Sequence, residues 1–243
     1  MATQMHLGEG TMETLSQVHT LTFDVFGTIL DLEGSLSGPI EKFLQGKNVP
    51  LSSKEIWARW RSRQRIEQYQ DNLLFMGHPG YLDAARRALI YVLRQTDIPF
   101  TEQEIPNLME AWRKLWPFHD VIDGLNRLRT RFRLVVLSNG NSWFLEHLAK
   151  NCIKFDFDQV ISVETVGVFK PHPAVYRMAK NLLKAEPQEI MMVSSNSFDV
   201  MGARCCGFRG AWVDRYKLPF EETPFRPDIQ VRDFIELADR LCS

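Results

Sequence analysis

Three observations predict an α/β fold: a parallel sheet covered by helices on both faces, with an all-helical block inserted after its first strand. Short apolar, β-favouring runs alternate with helical patterns through most of the chain. Those runs are continuous in apolar character, which marks strands buried on both faces and hence a parallel sheet. Between about Pro39 and Trp116 no such run occurs, only helical patterns broken by Gly and Pro.

The first strand lies in TLTFDVFGTILD (Thr20 to Asp31), where the apolar run stops at Asp24 and Gly27 and Thr28 follow at once. An acid is thus placed at the C-terminal lip of a strand, where open α/β sheets bind ligands. Read alone, Asp24 equally suits a residue that only organises the turn. The helical block reads as Pro39 to Gln45, Ser53 to Asn72 with Ser53 as N-cap, Tyr81 to Gln95, and Thr101 to Leu115 opened by the capping box TEQE. Strands follow at Arg133 to Gly140, Gln159 to Glu164 and Glu189 to Asn196, each with a helix after it: Ser142 to Lys150, Pro173 to Leu183, and Phe198 to Cys206 closed by Gly207. GAWVDR and the region around Ile229 supply outer strands, and Asp233 to Leu241 the last helix. Gly, Ser and Pro gather at Leu32 to Gly38 and around Trp116 to Asp123, which places hinges there. The domains are then a discontinuous core of residues 19–35 and 117–243, a helical cap of residues 36–116, and a frayed extension of residues 1–18.

Composition narrows the partner. In 243 residues, 29 Lys and Arg nearly balance 30 Asp and Glu, and no basic run offers a track for nucleic acid or an anionic membrane. A small-molecule partner is expected. Cys152, Cys205, Cys206 and Cys242 match neither metal-ligand spacing nor a disulfide framework, so reduced thiols in a cytoplasmic protein are the simplest account. His78, His119, His147 and His172 form no cluster with ligand spacing. No secretory signal pattern and no apolar run approaching the roughly 20 residues of a membrane span occurs, so a soluble, intracellular protein is expected.

Three strands end in polar residues at the same predicted lip: Asp24, then Ser138 and Asn139, then Ser194, Asn196 and Asp199. Endings that recur in one sheet converge on a shared crevice. VFKPHPAVY adds Lys170 just before a helix start, where an ammonium can neutralise and orient carboxylates at the lip.

DVFGT, LSNG, FKP followed by Tyr176, and SSNSFD resemble the four motifs of the haloacid dehalogenase superfamily, and more closely those of the L-2-haloacid dehalogenases, its type II group. The resemblance runs from about Leu21 to Arg215 and includes the cap segment WRSRQ (Trp60 to Gln64). It implies a Rossmann-like core with a helical cap, and an (S)-2-haloacid dehalogenase-like hydrolase that needs no cofactor and no metal. Superfamily phosphatases carry a second Asp two residues after the nucleophile, which protonates the leaving alkoxide and helps hold Mg²⁺ through its backbone. Here that position is Phe26. A carboxylate attacking a phosphate dianion needs a cation against like-charge repulsion, and an alkoxide needs an acid to leave. A halide leaving a neutral carbon requires neither.

By the same resemblance Asp24 is the nucleophile, with Thr28 fixing its rotamer. Asp199 activates the hydrolytic water, with Asn196, Ser194 and Lys170 arranging it. Ser138 and Asn139 bind the substrate carboxylate; Arg61, with Asn139, receives the halide; and Tyr176, Phe26 and Phe198 line the apolar side of the pocket. Other readings stay open for several of these. Arg59, Arg63 and Arg65 compete with Arg61, Tyr176 equally suits a core tyrosine, and Phe26 and Phe198 equally suit packing. The cap departs from the family pattern, since RSRQRIEQY is more polar than expected and Arg65 stands about where an aliphatic pocket residue would be. The alternatives in play are a Mg²⁺-dependent phosphatase of the same superfamily, a hydrolase opening the ring of azetidine-2-carboxylate, and a non-catalytic binding member. The resemblance also implies a homodimer, for which no isolated apolar stripe speaks.

Overall fold

In the computed structural model, residues 15–47 and 49–243 are described, so most of the expected N-terminal extension lies outside the described residues. Strands β1 (Thr20–Phe23), β2 (Arg133–Ser138), β3 (Gln159–Ser162), β4 (Ile190–Ser194), β5 (Arg209–Val213) and β6 (Ile229–Val231) form one sheet in the order β3-β2-β1-β4-β5-β6. Every pairing is parallel. The order reverses between β1 and β4, which makes the crevice beyond their C-terminal ends the switch point where such sheets bind ligands. Register aligns Phe23 with Val136 on one side and Val193 on the other, so Asp24, Leu137 and Ser194 follow at one level.

The two-residue period of the strands divides the apolar residues between two layers. Leu21, Phe23, Val136 and Val193 face a cluster that includes helices α5 (Val121–Leu128), α6 (Ser142–His147) and α9 (Phe234–Cys242). Val135, Leu137 and Met192 face α7 (Pro173–Leu183) and α8 (Ser197–Cys205). Between β1 and β2 lie α1 (Leu32–Leu44), α2 (Ser53–Leu73), α3 (Tyr81–Gln95), and α4 (Glu104–Met109) followed by a 3₁₀ turn, Glu110–Lys114. Trp60, fully buried, donates its indole N–H to the Ala85 carbonyl at 2.6 Å and so ties α2 to α3. Trp57, Trp60 and Trp112 join Phe26 in the same apolar cluster as β1, so the helical block and the sheet share one apolar core.

Several expected boundaries move, each for a local reason. Leu32 to Gly38, expected as a hinge, is the first half of α1, because Asp31 caps Gly34 N–H at 2.9 Å. Ser35 and Ser37 in that stretch turn their hydroxyls back onto carbonyls four residues earlier, a helical use of residues that read as linker. The cap of α2 is Ser52, not Ser53, in a capping box with Glu55. Thr101 and Glu104 do pair, but the α-helix they open is only Glu104–Met109. At the second expected hinge, Trp116 and Phe118 make backbone hydrogen bonds to Asp31 and Ile29, and Val121 already starts α5. Val18, expected in a frayed segment, is 4% exposed. The cysteines at positions 152, 205, 206 and 242 are free thiols. Among the described residues no helix is long and apolar enough to cross a membrane.

Candidate active site

Leaving β1, the chain keeps the ladder for one more residue, with Asp24 N–H donating to the Val193 carbonyl at 3.0 Å. Gly27 then turns at φ +87°, a conformation that costs an ordinary residue about 1–2 kcal/mol. A Cβ at Gly27 would also lie 2.7 Å from the Tyr216 hydroxyl. Asp24 is therefore held at the crevice by a turn that only glycine fits well, and it is 5% exposed.

Both carboxylate oxygens of Asp24 are engaged. Oδ2 accepts from Thr28 Oγ1 at 2.9 Å and Asn196 Nδ2 at 2.8 Å, while Oδ1 faces Ser138 Oγ at 3.3 Å and Lys170 Nζ at 3.7 Å. Thr28 is itself fixed by Ser195 N–H at 2.8 Å. Ser194 does not reach Asp24; its hydroxyl accepts from Asn196 N–H at 3.1 Å and shapes the turn that presents the Asn196 side chain.

Lys170 is 1% exposed, and its ammonium donates to the Leu137 carbonyl and, at 2.9 Å, to Asp199 Oδ2. Asp199, equally buried, takes its second hydrogen bond from the Tyr176 hydroxyl at 2.8 Å. Burial pushes the Asp199 carboxyl above its ordinary range and the charge of Asp24 adds to this, outweighing Lys170 and Tyr176, which favour the ionised form. Tyr176 is raised well above the ordinary phenol value, first by burial and then by Asp199.

Asp24, Phe26, Asn139, Lys170, Asn196, Phe198, Asp199 and Arg61 of α2 surround one cavity of about 10 Å³, room for about one water. Thr28, Ser138 and Ser194 stand behind that wall as supports. Tyr176 corrects an expectation: it does not line the cavity. Its ring packs edge-on against Phe208, it is completely buried, and its hydroxyl is spent on Asp199. Phe26 does form a wall, stacked on Tyr81 with centroids 3.7 Å apart and planes at 10°. Its carbonyl accepts from Asn196 Nδ2 at 3.3 Å and Arg61 Nη2 at 3.4 Å.

Of the competing arginines, Arg61 is the one that reaches the cavity, donating also to Gln64 and Tyr81 at 3.1 and 3.0 Å. Arg63 pairs instead with Glu67. Arg65 reaches Asn196 Oδ1 at 2.9 Å from the far side. Burial and the neighbouring Arg61 lower the Arg65 guanidinium to about 10.

Gln68 and Tyr81 also line the cavity and were not expected from the sequence. A signal was present in α2: Arg61, Gln64, Arg65 and Gln68 recur at i, i+3, i+4 and i+7, one helix face, and both glutamines are buried, at 0% and 3% exposed. His78 has its Nε2 2.9 Å from the Asn139 carbonyl, and burial lowers its pKa. Among the described residues no group of three His, Cys, Asp or Glu is placed to hold a metal ion.

Residues 18–207 match the family described as haloacid dehalogenase-like hydrolase. The chain is 31% identical over 219 residues to haloacetate dehalogenase H-2 of Moraxella, covering 89% of this chain and 95% of that one. To the (S)-2-haloacid dehalogenase of Pseudomonas strain YL it is 30% identical over 230 residues, covering 93% and 96%. The fold matches that of the L-2-haloacid dehalogenase of Xanthobacter autotrophicus with chloropropionic acid covalently bound, with a TM-score of 0.81 at 26% identity over 93% of this chain and 99% of that one. A family match over most of the chain, on a sheet that brings Asp24, Asn196, Lys170 and Asp199 to one crevice, establishes that the chain belongs to the haloacid dehalogenase-like hydrolase family.

Proposed function

We propose that this chain hydrolyses short 2-haloalkanoic acids through an ester formed on Asp24, without a metal. The observation that carries the reading is the state of position 26. Its side chain is an apolar wall, and its backbone carbonyl, which a phosphatase of the superfamily would turn to a cation, already accepts from Arg61 and Asn196. The relatives named above act on haloacids, and one holds chloropropionic acid covalently.

In this mechanism Asp24 Oδ1, the oxygen with the longer contacts, attacks the α-carbon from behind. A C–O bond forms as the carbon–halogen bond breaks, and the halide leaves with the electron pair. Arg61 receives it. Among the described residues no carboxylate lies within ion-pairing distance of Arg61, so its charge is free for an anion. Ser138 and Asn139 bind the substrate carboxylate, which suits their long contacts of 3.3 and 3.5 Å to Asp24 and Gln68. A water then adds to the aspartyl carbonyl and gives a proton to Asp199, whose raised pKa makes it a stronger base than an ordinary aspartate. The products are a 2-hydroxy acid of inverted configuration, halide and a proton.

Residues 36–116 act in this reading as a cap domain over a core of residues 19–35 and 117–243, since α2 and α3 supply Arg61, Gln68 and Tyr81 to the cavity. The test is halide release from L-2-chloropropionate in the presence of EDTA. Release is expected; no halide, but phosphate from phosphoesters with Mg²⁺, would replace this reading with a phosphatase.

A further inference from the structure

Arg65 has a part in the site that the mechanism leaves unused. One turn beyond Arg61 on α2, it places a second guanidinium on the far side of Asn196, and its Nη2 donates to the same Asn196 whose amide holds the nucleophile. Among the described residues no carboxylate lies within ion-pairing distance of it, and its Nε is buried without a hydrogen-bond partner. Burying a guanidinium with neutral partners alone is unfavourable, and the lowering of Arg65 to about 10 records that cost. An anion would relieve it.

Arg65 also faces a second space, with which the small cavity shares Asn196 and Phe198. With Asn196 and Phe198 it lines a second cavity of about 310 Å³ that adjoins the small one at Asp24. Trp212 and Tyr216 give this chamber aromatic walls, and Asp214 and Glu221 lie farther round it. Those two acids bound the ligand. Glu221 is taken by the Ser197 hydroxyl at 2.7 Å, and a buried oxygen of Asp214 has no partner, so a negative group is favoured at the Arg65 mouth and repelled deeper in.

We propose that Arg65 selects substrates with a second carboxylate, short 2-halodicarboxylic acids in which one or two methylenes separate the reacting carbon from the distal acid. The Asn196 amide touches both groups, Arg65 at 2.9 Å and Asp24 at 2.8 Å, which puts the guanidinium about one amide's length from the nucleophile, within reach of such a chain with its α-carbon at Asp24. Arg61 remains for the halide. The inference rests on the dehalogenase reading for its chemistry, but the anion site does not.

The experiment therefore has a turnover arm and a binding arm. In the first, kcat/KM for halide release is compared between L-2-chlorosuccinate and L-2-chloropropionate, in the native chain and in Arg65→Leu and Arg65→Lys. The native chain is expected to favour chlorosuccinate by about tenfold or more, as a charge-assisted hydrogen bond gives. That ratio collapses in Arg65→Leu and is partly restored in Arg65→Lys. A parallel fall on both substrates, with the ratio unchanged, would make Arg65 only a positioning residue for Asn196 and overturn the proposal. In the second arm, malate and lactate, the corresponding hydroxy acids, are titrated by calorimetry. Malate is expected to bind about tenfold more tightly than lactate, and only while Arg65 is present. Equal affinities in the native chain overturn the proposal whatever the turnover. No halide from either substrate, with malate still preferred through Arg65, would sink the dehalogenase reading and leave the second anion site standing.

Discussion

Asp199 is held by two donors that both favour its charged form, yet burial and Asp24 leave its pKa raised. If it is the base for ester hydrolysis, it works only when ionised. The single-turnover rate of that step should then fall on the acid side at a pH above the ordinary aspartate value. Tyr176→Phe removes one hydrogen bond to the ionised form, which raises the Asp199 pKa further. The acid limb is expected to move up by roughly half to one pH unit, so that at a fixed pH on that limb the rate falls by about three- to tenfold. A limb that stays in place would take Asp199 out of that role. Asp24, Asn196 and Asp199 could be singled out in the sequence because they stand at a strand end or within the next turn, where the sheet alone brings residues together, and Lys170 because it precedes a helix start. The partner of Tyr176 was not legible. A tyrosine in a helix looks the same whether its hydroxyl faces a pocket or a buried acid, and only the packing of α7 against α8 decides.

Helix α2 carries the cap side of the site and is fixed at several points along its length. Near its start Trp60 is bonded to α3, and in its middle Arg87 of α3 bridges Glu67 and Asp71, at 2.6 and 2.5 Å. Toward its end Asn72 clasps the backbone of Phe169, donating to the carbonyl and accepting from the N–H, each at 2.8 Å. That clasp joins the helical block to the segment that presents Lys170. In Asn72→Ala the Phe169 N–H loses its partner while the carbonyl keeps the His172 N–H at 3.1 Å, and exchange of the Phe169 amide hydrogen should speed up by about tenfold. Unchanged exchange would mean that the clasp does not hold the segment. Gln68 and Tyr81 escaped the sequence reading for a reason that belongs to helices. Strand polarity points a lip residue toward the crevice, whereas the face that a cap helix turns inward depends on how the whole helix docks. The polar stripe from Arg61 to Gln68 lies in the segment that is more polar than the family pattern, and it is the inner face.

The parallel sheet followed from apolar runs and intervening helices, and Tyr81–Gln95 and Pro173–Leu183 have the bounds their patterns predict, whereas the strand order is read only from the folded chain. The ends of the chain segments were harder to place, since Asp31 and Asp120 act through contacts made only in the folded chain. Asp120 accepts from Arg215 at 2.7 and 2.9 Å and from Phe234 N–H at 2.8 Å, joining the start of α5, the end of β5 and the start of α9. Burial works against its charge, but those donors outweigh it and hold the carboxyl below its ordinary range. A depressed folded pKa gives stability that is present in full above the unfolded value and fades as pH falls through the folded one. Asp120→Asn leaves Arg215, 6% exposed in its side chain, without its carboxylate, and should destabilise the chain by about 3 kcal/mol at neutral pH. The difference from the native chain should shrink below about pH 4, where an ordinary aspartate protonates. Denaturant titrations at the two pH values check both statements, and a loss that does not depend on pH would contradict the linkage.

In the proposed mechanism oxygen from Asp24, and not from water, first bonds to the substrate carbon. Single-turnover hydrolysis of L-2-chloropropionate in ¹⁸O-water, followed by mass spectrometry of the Asp24 peptide and of the lactate, tests it most directly. Attack by Asp24 leaves ¹⁸O in the Asp24 carboxylate and unlabelled lactate in the first turnover. Label in lactate with none in Asp24 would mean direct attack by water and would contradict it.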